Sequence, residues 1–454
     1  MRAVNWTVAA LAAIVTLLAP ALWNGFPLLE YDTGGYLARW FEGYLVVSRS
    51  TVYGLFAVAG WPLDFWPQIV LQAAATVWVL ALALRSYGFG RRPWTLLALV
   101  VALSATTTLP WLAGILLTDI FAGLAVLALH LVVMRADTLS RAERIALVLF
   151  VAFCGATHSA TFLVLLGLAV GALLTALVGH RIVALAGALR AAAAVALAAV
   201  MLVSANFALS GNVAWTPGGY GIVFARMMQD GIVTRYLDAH CAETSFKLCP
   251  YRHSFPPTAD DFLWDPGNMF DKLGRFDGLG DEMRTIVLGS LIEYPGEQLE
   301  AALAATGKQL ISVGTGEGVL TPLDHTYGVI RRYMPTVAPA MDAARQQHGE
   351  LHFAAINAVH VPIALATMAL LPLLFVLGLR LPDYRDVGLL AATVSLAILG
   401  NAVACGTLSN PHDRYGARLA WVPPVVAALA LLRRQSLAAK PSAKIAAVAP
   451  GARV

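Results

Sequence analysis

The residues of this chain that can do chemistry are few and lie far apart. Glu30 and Asp32 flank one tyrosine in Phe26-Pro-Leu-Leu-Glu-Tyr-Asp-Thr-Gly-Gly-Tyr-Leu37. In an extended segment alternate side chains face the same way, so these two carboxylates would converge on one acceptor proton or on one hard cation such as Mg or Mn. Gly34 and Gly35 let the backbone turn tightly or approach a ligand closely. The alternative is an interfacial loop with solvated acids. Asp119, in Leu116-Leu-Thr-Asp-Ile-Phe121, stands inside an apolar run. An ionisable group there is costly and marks a pathway or a site, unless it is simply paired with a nearby Arg or Thr. The third group is Asn410-Pro-His-Asp-Arg-Tyr-Gly-Ala-Arg418, which gathers His412, Asp413, Arg414, Tyr415 and Arg418. Arginine presents a planar fork of donors that suits a phosphate; the alternative is an acid–base network that ties the loop down.

Lesser candidates surround these three. Arg49 to Tyr53 follow the acidic segment, where a basic residue meets an anionic lipid headgroup or merely anchors the surface. Trp40, Phe41 and Tyr44 suggest a helix lying in the interface. His158, beside Thr157 and Ser159, is read either as a site residue or as a hydrogen-bonded structural one, and His130 and His360 are weaker still. Arg226, Asp230, His240, His253, His325, Arg331 and Arg332 are expected at the surface. A His-Glu-x-x-His helix, a Gly-x-Ser-x-Gly elbow, a paired Cys-x-x-Cys, a phosphate loop and a dinucleotide glycine fingerprint are all absent from the sequence, so zinc hydrolysis, serine hydrolysis and nucleotide binding have no support.

What must position these residues follows from composition. The chain has 454 residues, 59% hydrophobic and only 13% charged, against about 25% charged in an average soluble domain. A soluble protein of this size covers its surface with charge, and this one cannot. A cytosolic globular enzyme, a nucleic-acid binder and a disordered chain are excluded, leaving an all-α integral membrane protein. Apolar runs of roughly membrane-spanning length fall near 5–24, 66–84, 94–108, 112–134, 145–157, 159–179, 187–209, 354–379, 386–406 and 418–432. They predict about ten transmembrane helices, with Asp119 about two turns inside the fourth. Ala19-Pro-Ala-Leu-Trp-Asn24 offers no small-residue cleavage site, so the first run is expected to remain as a span.

Arginine and lysine set the orientation. Arg2, Arg85, Arg91, Arg92, Arg135, Arg141, Arg144, Arg181, Arg190, Arg380, Arg385, Arg433, Arg434, Lys440 and Lys444 all fall on one side if the count is ten, which makes both termini cytoplasmic. The organisation expected is an N-terminal transmembrane module over 1–209 with a first outer loop at 25–65, a mostly helical extracytoplasmic segment over 210–353, C-terminal transmembrane helices over 354–434 and a cytoplasmic tail over 435–454. Within the large segment, Asp281–Thr306 reads as two amphipathic helices with Leu288, Leu291, Ile292, Leu299 and Leu303 at helical spacing. Cys241 and Cys249 share that segment and predict a disulfide in an oxidising compartment, against two free thiols. Cys154 and Cys405 lie in or beside spans, where a thiol is a small hydrophobe.

The order of these residues resembles a known family. An acidic outer loop with Asp32-Thr-Gly-Gly-Tyr-Leu37 after the first span, then Arg49 to Tyr53, Thr118-Asp119, a large outer segment and a late Arg414-Tyr415 with Pro423-Pro424 looks like the polytopic GT-C-type glycosyltransferases. That superfamily includes oligosaccharyltransferase, protein O-mannosyltransferase and the lipid A aminoarabinose transferase. The resemblance implies a polyprenyl-phosphate-linked sugar as donor and transfer at the outer (periplasmic) face of a bacterial inner membrane to a polysaccharide, glycolipid or protein acceptor. It makes Asp32 the catalytic carboxylate, Glu30 a second acid or metal neighbour, Asp119 the acid near the outer end of a following span, and Arg414 with Tyr415 the holder of the donor phosphate. Gly416-Ala-Arg418 follows here where the family usually continues with an apolar stretch. Two other classes compete: a secondary transporter or lipid flippase using Asp119 as coupling group, and a non-catalytic assembly protein that docks partners on residues 210–353.

Overall fold

In an apolar setting a helix satisfies its own backbone N–H and C=O groups, and runs of Leu, Ala and Val this long leave few other choices. The computed structural model describes residues 2–179 and 182–439, and it is 76% helix with no strand among the described residues. Arg181, Lys440, Lys444 and the tail beyond 439 lie outside them, as does the side chain of Arg2.

The first part of the chain runs through α1 (Arg2–Leu17), α2 (Thr33–Glu42), α3 (Thr51–Val58), α4 (Trp66–Ser86), α5 (Pro93–Thr106), α6 (Asp119–Met134), α7 (Arg141–Thr157), α8 (Ser159–Leu177) and α9 (Leu185–Ser210). Short helices over 219–272 lead to α10 (Arg275–Glu293) and α11 (Pro295–Ile311). The last four are α12 (Ala354–Arg380), α13 (Arg385–Leu408), α14 (Asp413–Ala420) and α15 (Val422–Ala438). Among the described residues six helices are long and apolar enough to cross a membrane: Trp66–Ser86, Ser159–Leu177, Leu185–Ser210, Ala354–Arg380, Pro382–Leu408 and Asp413–Ala438. Val4–Leu17, Pro93–Thr106 and Asp119–Met134 are shorter apolar helices.

Two runs expected as continuous spans are broken. The run 5–24 divides into α1 and a short helix, Ala19–Asn24, with Pro20 in the first turn of the second piece, where its missing N–H costs least. The run 112–134 divides more deeply. A helix over Leu109–Gly114 stops, residues 115–118 are non-helical, and α6 begins at Asp119. The cause is tertiary. Leu28 N donates to Gly114 O (3.0 Å), Leu116 N donates to Leu28 O (2.9 Å), and Gln72 Nε2 donates to Ala113 O (3.1 Å) and Ile115 O (2.9 Å). The acidic loop and α4 thus take up the hydrogen bonds a continuing helix would have made. Asp119 is therefore the first residue of its helix and not two turns inside it.

The helix that Asp119 opens is the axis of the molecule, buried from Asp119 to Val132 and enclosed by α4, α7, α8, α9, α13 and α14. At its far end Arg135 and Arg433 both reach Asp386 Oδ2 (3.7 and 2.8 Å), and Arg85 pairs with Glu143 (2.7 Å). Several arginines predicted to share one side thus do meet at one end of the bundle. His130 bridges Tyr87 (3.0 Å) and Thr393 (2.9 Å) there, a structural role.

Residues 210–353 contribute mainly to two cores. Phe224, Met228, Leu237, Phe262, Phe270, Met283 and Ile286 form a separate one, with Cys241 and Cys249 packed against it at an Sγ–Sγ distance of 2.02 Å. Val319, Tyr327, Ile330, Met334 and Met341 instead join the main core. Arg226, expected at the surface, is buried: it pairs with Asp230 and donates from Nε to Gly406 O at the end of α13 (3.2 Å).

Candidate active site

The turn that carries the acids is built before the acids meet anything. Gln346 clamps the backbone of Leu29, accepting from its N–H (3.0 Å) and donating to its carbonyl (2.7 Å). Thr326 Oγ1 donates to Glu30 O (2.9 Å) and accepts from Gly34 N (2.9 Å). A side chain on Gly34 would place its Cβ 2.8 Å from Thr326 Cα, so this close approach requires glycine. Thr33 N then donates to Glu30 O (3.0 Å), and Asp32 N donates to Glu30 Oε2 (2.6 Å). Glu30 and Asp32 are thus held in a tight turn leading into α2, not in the extended segment expected. They converge nonetheless.

What they converge on is Arg414, at the start of α14. Its Nη1 pairs with Glu30 and lies 2.8 Å from Asp32 Oδ2, while its Nε lies 3.4 Å from Asp119 Oδ2. Arg49 pairs with the other oxygen of Asp32. Arg418, one turn after Arg414, comes within 4.0 Å of Asp119 Oδ1 and is anchored by Asn401 Oδ1 (2.9 Å from Nε). Asp119 accepts no hydrogen bond from the described residues. Three acids and the guanidinium groups of Arg414 and Arg418, drawn from the first and last parts of the chain, share one buried cluster, with the partly exposed Arg49 at its edge. Burying such a set costs desolvation that pairing only partly offsets, which argues for a purpose other than stability.

The remaining predicted residues lie around this cluster. His158 caps α8, accepting from Ala160 N (3.2 Å), and its Nδ1 is 3.3 Å from Arg418 Nη1, which puts it at the edge of the charged cluster. Tyr415 lies under the guanidinium groups of Arg414 and Arg418, at 5.3 and 5.5 Å. Asp413 Oδ1 accepts from Gly314 N (2.9 Å). Tyr53 stands one layer back, fully buried edge-to-face on Tyr36 at 4.9 Å, and does not join the charged set. Cys241 and Cys249 belong to the separate core and take no part.

Sequence reasoning missed Glu317. Its carboxylate accepts from Arg414 N (2.7 Å) and meets His412 Nδ1 (2.7 Å), while His412 Nε2 lies 3.3 Å from Asp260 Oδ2. Glu317 sits in Gly314-Thr-Gly-Glu-Gly318, and three glycines around one acid was the available signal. Gly318 has φ +77°, and a Cβ there would collide with Glu30 Oε1 and the Tyr31 ring. Asn401, Thr326 and Gln346, all polar positioners, carried no motif at all.

The acids of the first loop are not equivalent. Burial pushes Glu30 up to about 8; Arg414 opposes this and the neighbouring Asp32 carboxylate adds to it. Burial would raise Asp32 too, but Arg49 and Arg414 outweigh it and hold the Asp32 carboxyl below its usual range. Asp32 is thus kept ionised beside a Glu30 that retains its proton at neutral pH. Burial would lower His412, but Asp260 and Glu317 on its two nitrogens raise it to about 9.

A small cavity opens beside the cluster. Leu28, Trp111, Leu112, Ile115 and Phe353 give it an apolar wall, and Asp119, Glu317 and Arg414 a charged end. An apolar wall with a few convergent polar groups is the general form of a small-molecule site. This one suits a divalent cation poorly: among the described residues no group of three or more His, Cys, Asp or Glu side chains could hold a metal ion, and the acids face guanidinium groups instead. Comparison with protein-family models, with curated proteins and with solved structures finds no match to this chain.

Proposed function

We propose that this chain is a membrane glycosyltransferase of the GT-C type, moving a sugar from a polyprenyl-phosphate donor to a hydroxyl of a polysaccharide, glycolipid or protein acceptor. The observation that carries the reading is the meeting of Asp32, Asp119 and Arg414, far apart in sequence, at the charged end of an apolar-walled cavity. The chemistry asks for little more. The acceptor oxygen attacks the anomeric carbon while Asp32, ionised, takes the acceptor's proton. The bond from that carbon to the phosphate oxygen breaks, and the electron pair leaves with the phosphate. Arg414, backed by Arg49, neutralises the developing charge. A single displacement inverts the anomeric centre. Because the leaving group is a lipid phosphate, no nucleotide domain is needed.

The same reading gives the membrane arrangement. The arginine-rich end, with Arg85, Arg135 and Arg433, is cytoplasmic under the positive-inside rule. The site, at the opposite end of α6, then faces the periplasm of a bacterial inner membrane. The ten spans are the six long helices, the three shorter apolar ones and α7, with both termini inside.

A second reading, a proton-coupled transporter or lipid flippase, is favoured by one observation: Asp119 is a buried carboxylate that accepts no hydrogen bond from the described residues, as a coupling group would be. The two readings separate in reconstituted liposomes offered polyprenyl-phosphate-linked sugars and a hydroxyl acceptor. Transfer requires release of free polyprenyl phosphate. Movement of the intact donor across the bilayer without release would establish the second reading.

A further inference from the structure

We propose that residues 295–319 form a re-entrant hairpin whose outward apolar face rests on the acyl chains of the bilayer. This goes beyond the transfer reading and does not depend on it. Leu299 and Leu303, at helical spacing in the sequence, and Ile311 lie on the outer face of α11 and are 61%, 65% and 66% exposed. The depth of the helix explains them. α11 runs alongside α13, so close at Gly406 that a Cβ there would lie 2.8 Å from Ala305 O. It then descends: Gln309, Leu310 and Val313 line one small cavity with Met368, Ile398, Asn401 and Ala420. Val313 packs with Ala364 and Ala420 and against Val361, Leu365 and Met368. At a rise of about 1.5 Å per residue, Ile398 lies roughly 15 Å below the end of α13 at Leu408, and Met368 lies near the middle of α12. Both helices are long and apolar enough to cross a membrane, and their midpoints fall near the centre of a hydrocarbon layer about 30 Å thick. Val313 thus lies at the level of Val361, Ala364 and Leu365, about 10–17 Å in from the start of α12.

A second, independent observation concerns the backbone. Non-helical chain is tolerated at membrane depth only where protein satisfies its polar groups, and the return segment after Ile311 is satisfied in that way. Gly314 N donates to Asp413 Oδ1 (2.9 Å), Thr315 N to Asn357 Oδ1 (2.7 Å), and Asn357 Nδ2 returns a bond to Thr315 O (3.0 Å). Thr315 Oγ1 meets His360 Nδ1 at 3.0 Å, and Gln309 bonds both N and O of His412 (2.9 and 2.8 Å). These bonds let the non-helical return segment lie at membrane depth without orphaned polar groups. The occupant of the outward face is lipid because the adjacent exposed face is that of α13, with Leu396, Leu399 and Val403, on a helix that itself crosses the membrane. The hairpin also carries Glu317 to Arg414 and His412.

The test is spin labelling of the full chain in liposomes. Leu299→Cys, Leu303→Cys and Ile311→Cys are each labelled, with Ser254→Cys, an exposed position in the short-helix region, as the water reference. The native free thiols, Cys154 and Cys405, are buried, and the unsubstituted chain gives the background. Collision with oxygen is expected to rise, and collision with a water-soluble nickel chelate to fall, from position 299 to position 311. The chelate collisions at 311 should be several-fold below those at 254. Chelate collisions at 311 equal to those at 254 would overturn the proposal, and so would loss of both kinds of collision at all three positions, which means protein covers the face. Should Ile311→Cys fail to insert, Leu303→Cys carries the same comparison.

Discussion

Arg414 Nη1 stands 2.8 Å from Asp32 Oδ2, joining the first loop of the chain to the start of its last helix pair. That guanidinium is the common partner of three buried acids. Arg414→Ala leaves them without it, and an uncompensated buried charge of this kind costs about 3–5 kcal/mol. Thermal unfolding in detergent should show that loss. Arg414→Lys restores a point charge but not the fork, so it should recover much of the stability while transfer stays low.

Glu30 gives the protein a pH signature. Its carboxyl lies at about 8 in the fold against an ordinary 4.5. Between those values the folded state keeps a proton that the unfolded state has lost, so this group makes stability fall as pH rises through that window and level off above about 8. Glu30→Gln imitates the protonated acid and should remove that slope while retaining transfer at neutral pH. A slope unchanged in Glu30→Gln means another group titrates there.

His412 has the opposite origin and a different window. Raised from 6.5 to about 9, it contributes stability that is fully present below about 6.5 and lost as pH rises through about 9. His412→Gln should flatten unfolding curves over that range only, because it breaks the bridge between Asp260 and Glu317.

Gly318 is the backbone's contribution to the site. A methyl there meets Glu30 and the Tyr31 ring from a positive-φ backbone. Gly318→Ala is expected to lower stability by about 1–3 kcal/mol and to reduce transfer sharply by displacing Glu30 from Arg414. Gly280→Ala, where a Cβ meets nothing within 4 Å, is the control and should leave transfer unchanged.

The Cys241–Cys249 bond is checked by thiol counting in denaturant. The chain has four cysteines, of which two are free. Two thiols should react before reduction and four after it; four before reduction would refute the bond.

How much of this was legible beforehand depended on whether the signal was local. Asp32, Arg414 and Asp119 stand out because charge in an apolar chain is costly wherever it falls, and Cys241 with Cys249 because their spacing allows closure. The break before Asp119 left no local mark. The sequence stays apolar straight through Ile115, Leu116 and Leu117, yet the helix ends there because Leu28 and Gln72, remote in sequence, took its hydrogen bonds. Glu317 was hidden for a similar reason, since a glycine-rich stretch gains meaning only when Arg414 and His412 are brought to it. The stripe of Leu299 and Leu303 was visible as amphipathic, but periodicity says that a helix has two faces and not what each one meets.

The central claim is that Asp32 takes the acceptor's proton. It is tested most directly by single-turnover transfer from a polyprenyl-phosphate-linked sugar, comparing the unsubstituted chain with Asp32→Asn in the same liposomes. Asp32→Asn that inserts and binds donor normally is expected to transfer about 10²–10⁴-fold more slowly. An undiminished rate in that variant would contradict the role assigned to Asp32 and the reading built on it.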